Sequence, residues 1–144
     1  MQYLAGLKDL EVLILGTEAT GAGLEHLQAL THLRELDLSG SKLDDSGLER
    51  LQGLTQVRTL RLGGTRVTDA GLEYLAKLVQ LQELDLSSTA ITDACLDHLK
   101  GLTRLQRVSL GDTRVTNRGA LTIRESLPNV IIDAMPSHGY GPFP

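Results

Sequence analysis

The chain has 144 residues, the length of one domain, and 30 of them are leucine. Tryptophan is absent and aromatic residues make up 3% of the chain, which excludes an ordinary core of mixed aromatic and aliphatic side chains. The 41% share of hydrophobic residues excludes a disordered chain, and the net charge of -4 argues against a nucleic-acid-binding surface. No run of about 18 consecutive apolar residues is present, so we expect no membrane span.

The chain opens in the middle of a repeated unit. Residues 3–7, Y-L-A-G-L, align with residues 74–78, Y-L-A-K-L, so the first unit lacks its beginning and has no polar cap. Two explanations stay open: the chain is a fragment of a longer array, or this edge meets another chain in edge-to-edge self-association. Residues 1–16 are interrupted by charged residues and lack a basic start, so we do not expect a signal peptide there.

A leucine frame, L-x-x-L-x-x-L-x-L, recurs along the chain and predicts a solenoid. It begins at Leu7, Leu30, Leu54, Leu78 and Leu102, with valine as the only substitution. Successive frames start 23 or 24 residues apart, and a Thr or Ser follows each of them. One such unit cannot bury a core alone, whereas stacked units can, because the leucines of neighbouring units pack on each other.

Each unit predicts one strand and one short helix. In residues 35–39, E-L-D-L-S, leucine alternates with polar residues, which is the period of a half-buried strand. In residues 69–78 leucine recurs at every third position, which indicates one stripe of a short helix. Asp45, Asp69 and Asp93 fall where the helices start, where a carboxylate stabilises free N–H groups. Stacking makes the strands parallel, with the sheet inside and the helices outside.

The frame, together with T-R-V-T-D-A-G-L at 65–72 and T-A-I-T-D-A-C-L at 89–96, resembles the leucine-rich repeat family. The 24-residue unit is most similar to the ribonuclease-inhibitor-like and F-box-associated subclass of bacterial type, although leucine stands where one variant of that subclass has cysteine. The resemblance covers roughly residues 3–133 and implies an α/β, right-handed solenoid of about five repeats. It also implies a non-catalytic protein–protein interaction module.

The carboxyl-terminal part of the chain ends the repeat pattern. Residues 127–133, L-P-N-V-I-I-D, resemble a closing strand, so we assign residues 1–133 to the repeat domain. Residues 134–144 contain three prolines and show no periodicity, which predicts a flexible tail. Alternatively, Tyr140 and Phe143 fold back as a lid on the last unit, or serve as a short docking peptide.

No residue pattern predicts catalysis, a cofactor or a metal site. His26 and His98 hold the same position three units apart, or about 14 Å at the strand spacing, too far to share a metal. Cys95 stands where other units have glycine, which indicates a small packed side chain rather than a nucleophile. One aspartate per unit does not supply the six or more converging oxygens that calcium needs. We therefore expect no enzyme.

The inner, concave face of the sheet is the candidate binding surface, because alternation points the polar strand positions toward it. The candidate partner-binding residues are Glu35, Asp37, Thr59, Arg61, Glu83, Asp85, Arg107 and Ser109. In one interpretation Asp37, Arg61 and Asp85 simply satisfy one another as lateral neighbours of alternating charge. In the other, Arg61 and Arg107 bind carboxylates of a protein partner in forked geometry.

Recognition of an unidentified protein through this face is the function the sequence favours. The alternatives are a structural spacer or assembly segment of a larger repeat protein, and a substrate-receptor segment attached to a ubiquitin ligase. Nucleic acid and membrane are not expected partners. A single cysteine is compatible with a reducing compartment, so a cytoplasmic location is the default expectation.

Overall fold

A computed structural model describes residues 6–133, and its centre is one parallel sheet of six strands in sequential order. Each strand is three residues long, and adjacent strands pair in register from end to end. The strands are β1 Val12–Ile14, β2 Glu35–Asp37, β3 Thr59–Arg61, β4 Glu83–Asp85, β5 Arg107–Ser109 and β6 Ile131–Asp133. The sheet therefore has the parallel topology that the leucine frame predicts, and β6 lies within the segment where we expected a closing strand.

The leucines of the frame form the core. The central residue of each inner strand, such as Leu36, Leu60 and Leu84, is at most 1% exposed and pairs with its counterpart in the next unit. The other frame positions of the complete units, such as Leu33 and Leu38, are equally buried. Burial of a leucine contributes on the order of 2 kcal/mol, so unit-on-unit stacking is the main source of stability.

The outer segments are helical, but several of them are 3-10 helices rather than α-helices. The 3-10 segments are Leu24–Ala29, Asp69–Lys77 and Asp93–Cys95, and the α-helices are α1 Asp45–Glu49, α2 Leu96–Leu99 and α3 Asn117–Ser126. The reason is the leucine spacing: a 3-10 helix has three residues per turn, so leucines at every third position lie directly above one another. In the segment beginning at Asp69, Leu72 and Leu75 are both buried by this arrangement.

The threonines that follow the third, fourth and fifth frames donate hydrogen bonds to the last leucine of their frame. The hydroxyl of Thr65 donates to the carbonyl oxygen of Leu62 at 2.6 Å, and Thr113 donates to Leu110 at 2.7 Å. Thr65 is only 6% exposed, so without this bond its buried hydroxyl would have no hydrogen-bond partner. These hydroxyls thus bind backbone where the strand passes into the loop.

A hydrogen-bonded ladder links the helix starts of neighbouring units. Asp45 accepts from the backbone N–H of Thr68 at 2.8 Å and from its hydroxyl at 2.7 Å. Asp93 repeats this contact with Thr116. These aspartates stand at the first residue of their helices, as predicted, but their carboxylates bind the next unit instead of capping their own helix.

The ladder explains the glycines at the third position of the helices. A Cβ on Gly71 would overlap the Asp45 carboxylate, and a Cβ on Gly119 would overlap that of Asp93. Cys95 occupies the equivalent place beside Asp69, and there the carboxylate lies farther from Thr92, with N–H contacts of 3.1 and 3.2 Å. At Gly71 and Gly119 the carboxylate of the preceding unit therefore limits the size of the residue, whereas at Gly47 the Leu43 side chain and Gly21 do so.

Candidate functional site

The inner face of the sheet places all eight candidate residues on one surface. The pairings Glu35 to Thr59 and Thr59 to Glu83 continue to Arg107, and a second row runs from Asp37 through Arg61 and Asp85 to Ser109. Glu83 and Arg107 are exposed and the other six are half-buried. The strands thus bring together residues that lie up to 74 positions apart in the chain.

Arg61 is already engaged within the chain. Its guanidinium forms an ion pair with Glu35, which raises the pKa of the arginine through the hydrogen bond they share. Asp37 and Asp85 flank Arg61 laterally, yet neither forms an ion pair with it. The interpretation that these three residues satisfy one another is therefore wrong, because the longer Glu35 side chain reaches the guanidinium diagonally across the strands.

The two lateral aspartates are used by the backbone after their strands. Asp37 accepts from the N–H of Ser39 at 2.9 Å, and Asp85 accepts from the N–H of Ser87 at 2.9 Å. The Ser87 hydroxyl also donates to Asp85, at 2.6 Å. An aspartate that binds the N–H two residues ahead stabilises a local turn. Both carboxylates are thereby fixed at the end of their strands.

Arg107 forms an ion pair with a residue toward the opposite end of the sheet. Its Nη1 donates to the Asp133 carboxylate at 2.6 Å, so the partner lies on β6. Arg61 is directed toward β2 and Arg107 toward β6, which leaves β4 between them. Among residues 6–133 no cationic group lies within 4.0 Å of the Glu83 carboxylate, and the rest of the chain contains neither Lys nor Arg.

A shallow hollow lies at this point of the inner face, with a volume of about 220 Å³. Six of the eight candidate residues line it, together with two strand leucines: Thr59, Leu60, Arg61, Glu83, Leu84, Asp85, Arg107 and Ser109. Glu35 and Asp37 lie outside it. The hollow is therefore acidic at its centre on β4 and has one engaged arginine on each side.

Gly63 leaves one end of the inner face without a bulky side chain. A Cβ on Gly63 would lie 2.9 Å from the Ser87 hydroxyl oxygen and 3.0 Å from an Asp85 oxygen. The Asp85–Ser87 hydrogen bond therefore occupies the space that a larger residue at 63 would need. The absence of a side chain at Gly63 thus leaves room for the turn that follows β4.

The inner face is apolar at both ends. On β1, Val12 and Ile14 are 48% and 69% exposed, and on β6 Ile131 is 52% exposed. The first two follow from strand alternation, whereas sequence reasoning missed Ile131 and Asp133 as inner-face residues. The signal was present, since Ile131 lies 24 residues after Arg107, but the leucine frame slips by one residue at Leu127 and hides it.

Cys95 lies in the core and not at a reactive site. It is 0% exposed, and burial, with Asp69 and Asp93 nearby, raises its pKa to about 12. The thiol is consequently protonated at neutral pH, whereas a nucleophilic cysteine needs a lowered pKa. The interpretation of Cys95 as a small packed side chain is confirmed.

Residues 6–133 form neither a metal-binding cluster nor a membrane-spanning helix. No cluster of three or more His, Cys, Asp or Glu side chains is arranged to hold a metal ion in that part of the chain. His26 and His32 are exposed, and Nδ1 of His32 lies 2.9 Å from the carbonyl oxygen of Lys8. None of the helices of these residues has the length and hydrophobicity to cross a membrane.

Comparison with protein families finds the leucine-rich repeat. The family model matches residues 29–51, 54–76 and 80–94, which are three successive units of the solenoid. With the six-stranded parallel sheet and its buried leucines, these matches show that the chain has the fold of a leucine-rich-repeat solenoid. No curated protein sequence matches the chain significantly.

Solved structures share the fold. Internalin C2 of Listeria monocytogenes superposes with a TM-score of 0.70 at 26% identity, covering 93% of this chain and 55% of its own. A second internalin of that organism superposes with a TM-score of 0.75 at 22% identity, covering 96% of this chain and 38% of its own. A leucine-rich repeat protein of Leptospira interrogans gives 0.71 at 24%, with coverages of 92% and 33%. The chain thus spans between a third and just over half of the length of these structures.

Proposed function

We propose that this chain is a non-catalytic protein–protein interaction module that binds its partner through the inner face of the sheet. The observation that carries the proposal is the hollow at β4, where six candidate residues from three strands meet at an exposed surface. Leucine-rich-repeat domains commonly bind proteins, and the open sheet gives a partner access to several units at once. The eight candidate residues are the proposed contact residues.

The ion pairs decide which partner chemistry suits this face. Arg61 and Arg107 are neutralised by Glu35 and Asp133, so binding a partner carboxylate would require breaking an existing pair. Glu83 has Arg107 as its lateral neighbour but forms no ion pair with a cationic group of residues 6–133, and Asp85 adds a second carboxylate to the same strand. We therefore propose that a basic side chain of the partner contacts β4, which replaces the sequence-based hypothesis of arginines that bind carboxylates.

The apolar ends add a second element of recognition. Val12 and Ile14 lie three strands from β4, or about 14 Å at the usual strand spacing, and Ile131 lies two strands away on the other side. A partner that presents an apolar side chain at that distance from its basic residue contacts both features. Burying the Val12 and Ile14 side chains supplies the apolar contribution to binding.

Selection from a random peptide library tests this proposal. The wild-type chain serves as bait, and the selected peptides are then tested for loss of binding to a Glu83→Arg variant. The matched control is Glu73→Arg, which places the same charge change on an exposed residue of the outer helical side. We expect selected peptides to carry Lys or Arg and to bind the Glu73→Arg variant unchanged. Peptides that bind all three proteins equally would contradict the proposal.

A second candidate function is assembly through the first strand, because β1 is an edge strand with exposed apolar residues. Leu7, Val12 and Ile14 are all about half or more exposed, and an edge strand offers free backbone hydrogen-bonding groups. Sedimentation velocity over a range of concentrations tests this candidate with Ile14→Lys as the variant. Concentration-dependent association that the variant abolishes supports it, and a monomer at all concentrations contradicts it.

A spacer function needs no inner-face partner, and it predicts that inner-face variants leave the function of the complete protein unchanged. The short span of the chain relative to the matching structures is compatible with a segment of a longer array. The substrate-receptor role and the ribonuclease-inhibitor-like subclass stay predictions from the sequence.

A further inference from the structure

A second hollow lies outside the inner face, where the loops rise into the strands, and its volume is about 330 Å³. We call it the edge hollow. Its lining residues come from three successive units: Arg34, Thr55, Gln56, Arg58, Val79 and Gln80. None of them belongs to the candidate binding residues described above.

Charge is segregated at this edge. The loop segments 31–34, 55–58, 79–82 and 103–106 of the second to fifth units contain three arginines and no Asp or Glu. The equivalent segment 8–11 of the first unit differs, because it contains Asp9 and Glu11. Neither Arg34 nor Arg58 forms an ion pair within residues 6–133. Residues 1–5 and 134–144 contain no acidic side chain that could supply one.

The two arginines are held as neighbours. The backbone N–H of Arg58 donates to the carbonyl oxygen of Arg34 at 2.8 Å, so they begin adjacent strands. Arg34 also donates through Nη1 to the carbonyl oxygen of Gln56 at 3.4 Å, and Gln56 is in turn fixed by donating to Leu30 at 2.9 Å. Two like charges on adjacent strands repel each other, and an anion between them would relieve that repulsion.

The remaining lining residues restrict the kinds of ligand that the edge hollow can bind. Gln80 accepts from Arg104 through its side-chain oxygen, which leaves its amide nitrogen as a donor, and Thr55 offers a hydroxyl. Val79 is 52% exposed and supplies an apolar contact beside these donors. The inner-face carboxylates Glu35 and Glu83 follow immediately in the chain, so a polyanion would be repelled where a single carboxylate is accepted.

We propose that the edge hollow binds an acidic side chain, Asp or Glu, of a protein segment in which an apolar residue stands next to it. The carboxylate accepts forked hydrogen bonds from the guanidinium groups of Arg34 and Arg58. The adjacent apolar side chain packs on Val79. This site is independent of the inner face, so it gives the solenoid a second contact surface of opposite charge.

Titration followed by NMR tests the proposal, with the blocked peptide acetyl-Leu-Glu-amide as the probe and the full chain as the protein. We expect backbone signals of residues 55–58 and 79–80 to shift progressively. The peptide with Gln in place of Glu serves as the matched ligand control, and inorganic phosphate is titrated separately. Equal shifts with the Gln peptide, or binding of phosphate tighter than that of the Glu peptide, would overturn the proposal.

Protein variants localise the effect. The double variant Arg34→Gln plus Arg58→Gln should weaken binding of the Glu peptide at least about tenfold, since hydrogen bonds to charged groups contribute most of such an interaction. The control Arg66→Gln plus Arg114→Gln removes two exposed arginines on the opposite side of the strands and should change nothing. Equal weakening by both double variants would show a general charge effect and overturn the site. Glu83→Arg should retain peptide binding, which separates failure here from failure of the inner-face proposal.

Discussion

The carboxylate of Asp45 bonds to both the backbone N–H and the hydroxyl of Thr68, one unit further along the solenoid. Asp69 and Asp93 form the same pair of contacts with Thr92 and Thr116. Each contact joins residues 23 positions apart, so it exists only when two units are stacked in the correct register. The leucines provide the bulk of the stacking energy, and the aspartates fix its register.

Asp45→Ala should therefore lower the free energy of unfolding by about 2 kcal/mol, because two charge-assisted hydrogen bonds are lost and the Thr68 N–H is left without its partner. Urea denaturation measures the change. The control is Asp97→Ala, which removes a carboxylate bound to Lys100 on an exposed surface and should cost much less stability than Asp45→Ala. Equal destabilisation by the two variants would contradict the register role of Asp45.

Cys95 should make stability depend on pH in the alkaline range. Its pKa is raised from an ordinary value of 9.0 to about 12, so the native state keeps a proton that the unfolded chain releases. The contribution is fully present below pH 9.0 and is lost as the pH rises toward about 12. We expect wild type to lose stability faster than Cys95→Ala across this window, as measured by urea denaturation at several pH values. Parallel profiles would show that the native thiol ionises freely.

A backbone conformation repeats at the turn after each of four strands. Gly40, Gly64, Ser88 and Asp112 all have positive φ, between 54° and 69°. Glycine adopts this conformation without a steric penalty, whereas serine is strained by on the order of 1 kcal/mol. Ser88→Gly should consequently raise the free energy of unfolding by up to about 1 kcal/mol. The reciprocal change Gly64→Ser should lower it, and a destabilised Ser88→Gly variant would contradict this account.

Sequence reasoning predicted the parallel sheet and the buried leucines because both follow from a period, and a period is visible in one dimension. Leu36 and Leu60 lie on each other since their frames are offset by a whole unit. The partner of Arg61 was not predictable in this way. Four carboxylates lie on the two strands next to it, and the choice of Glu35 depends on side-chain reach and on the turn that already uses Asp37.

The ladder of Asp45 and Thr68 was missed for a related reason. An aspartate at a helix start is sufficiently explained by capping of its own helix, so the sequence alone did not indicate a contact with the next unit. The accompanying signal was the glycine at position 71, which leaves room for the carboxylate. In the edge hollow, likewise, Arg34 and Arg58 are 24 residues apart and meet only through the stacking of their units.

The claim that β4 of the inner face binds a basic group of a protein partner is tested most directly by a charge-swap cycle. The dissociation constants of a selected peptide and of its Lys→Glu version are measured against wild type and Glu83→Lys. We predict that each single charge reversal weakens binding at least about tenfold and that the double reversal restores much of the loss. Losses that add up without any restoration would contradict a direct contact with Glu83.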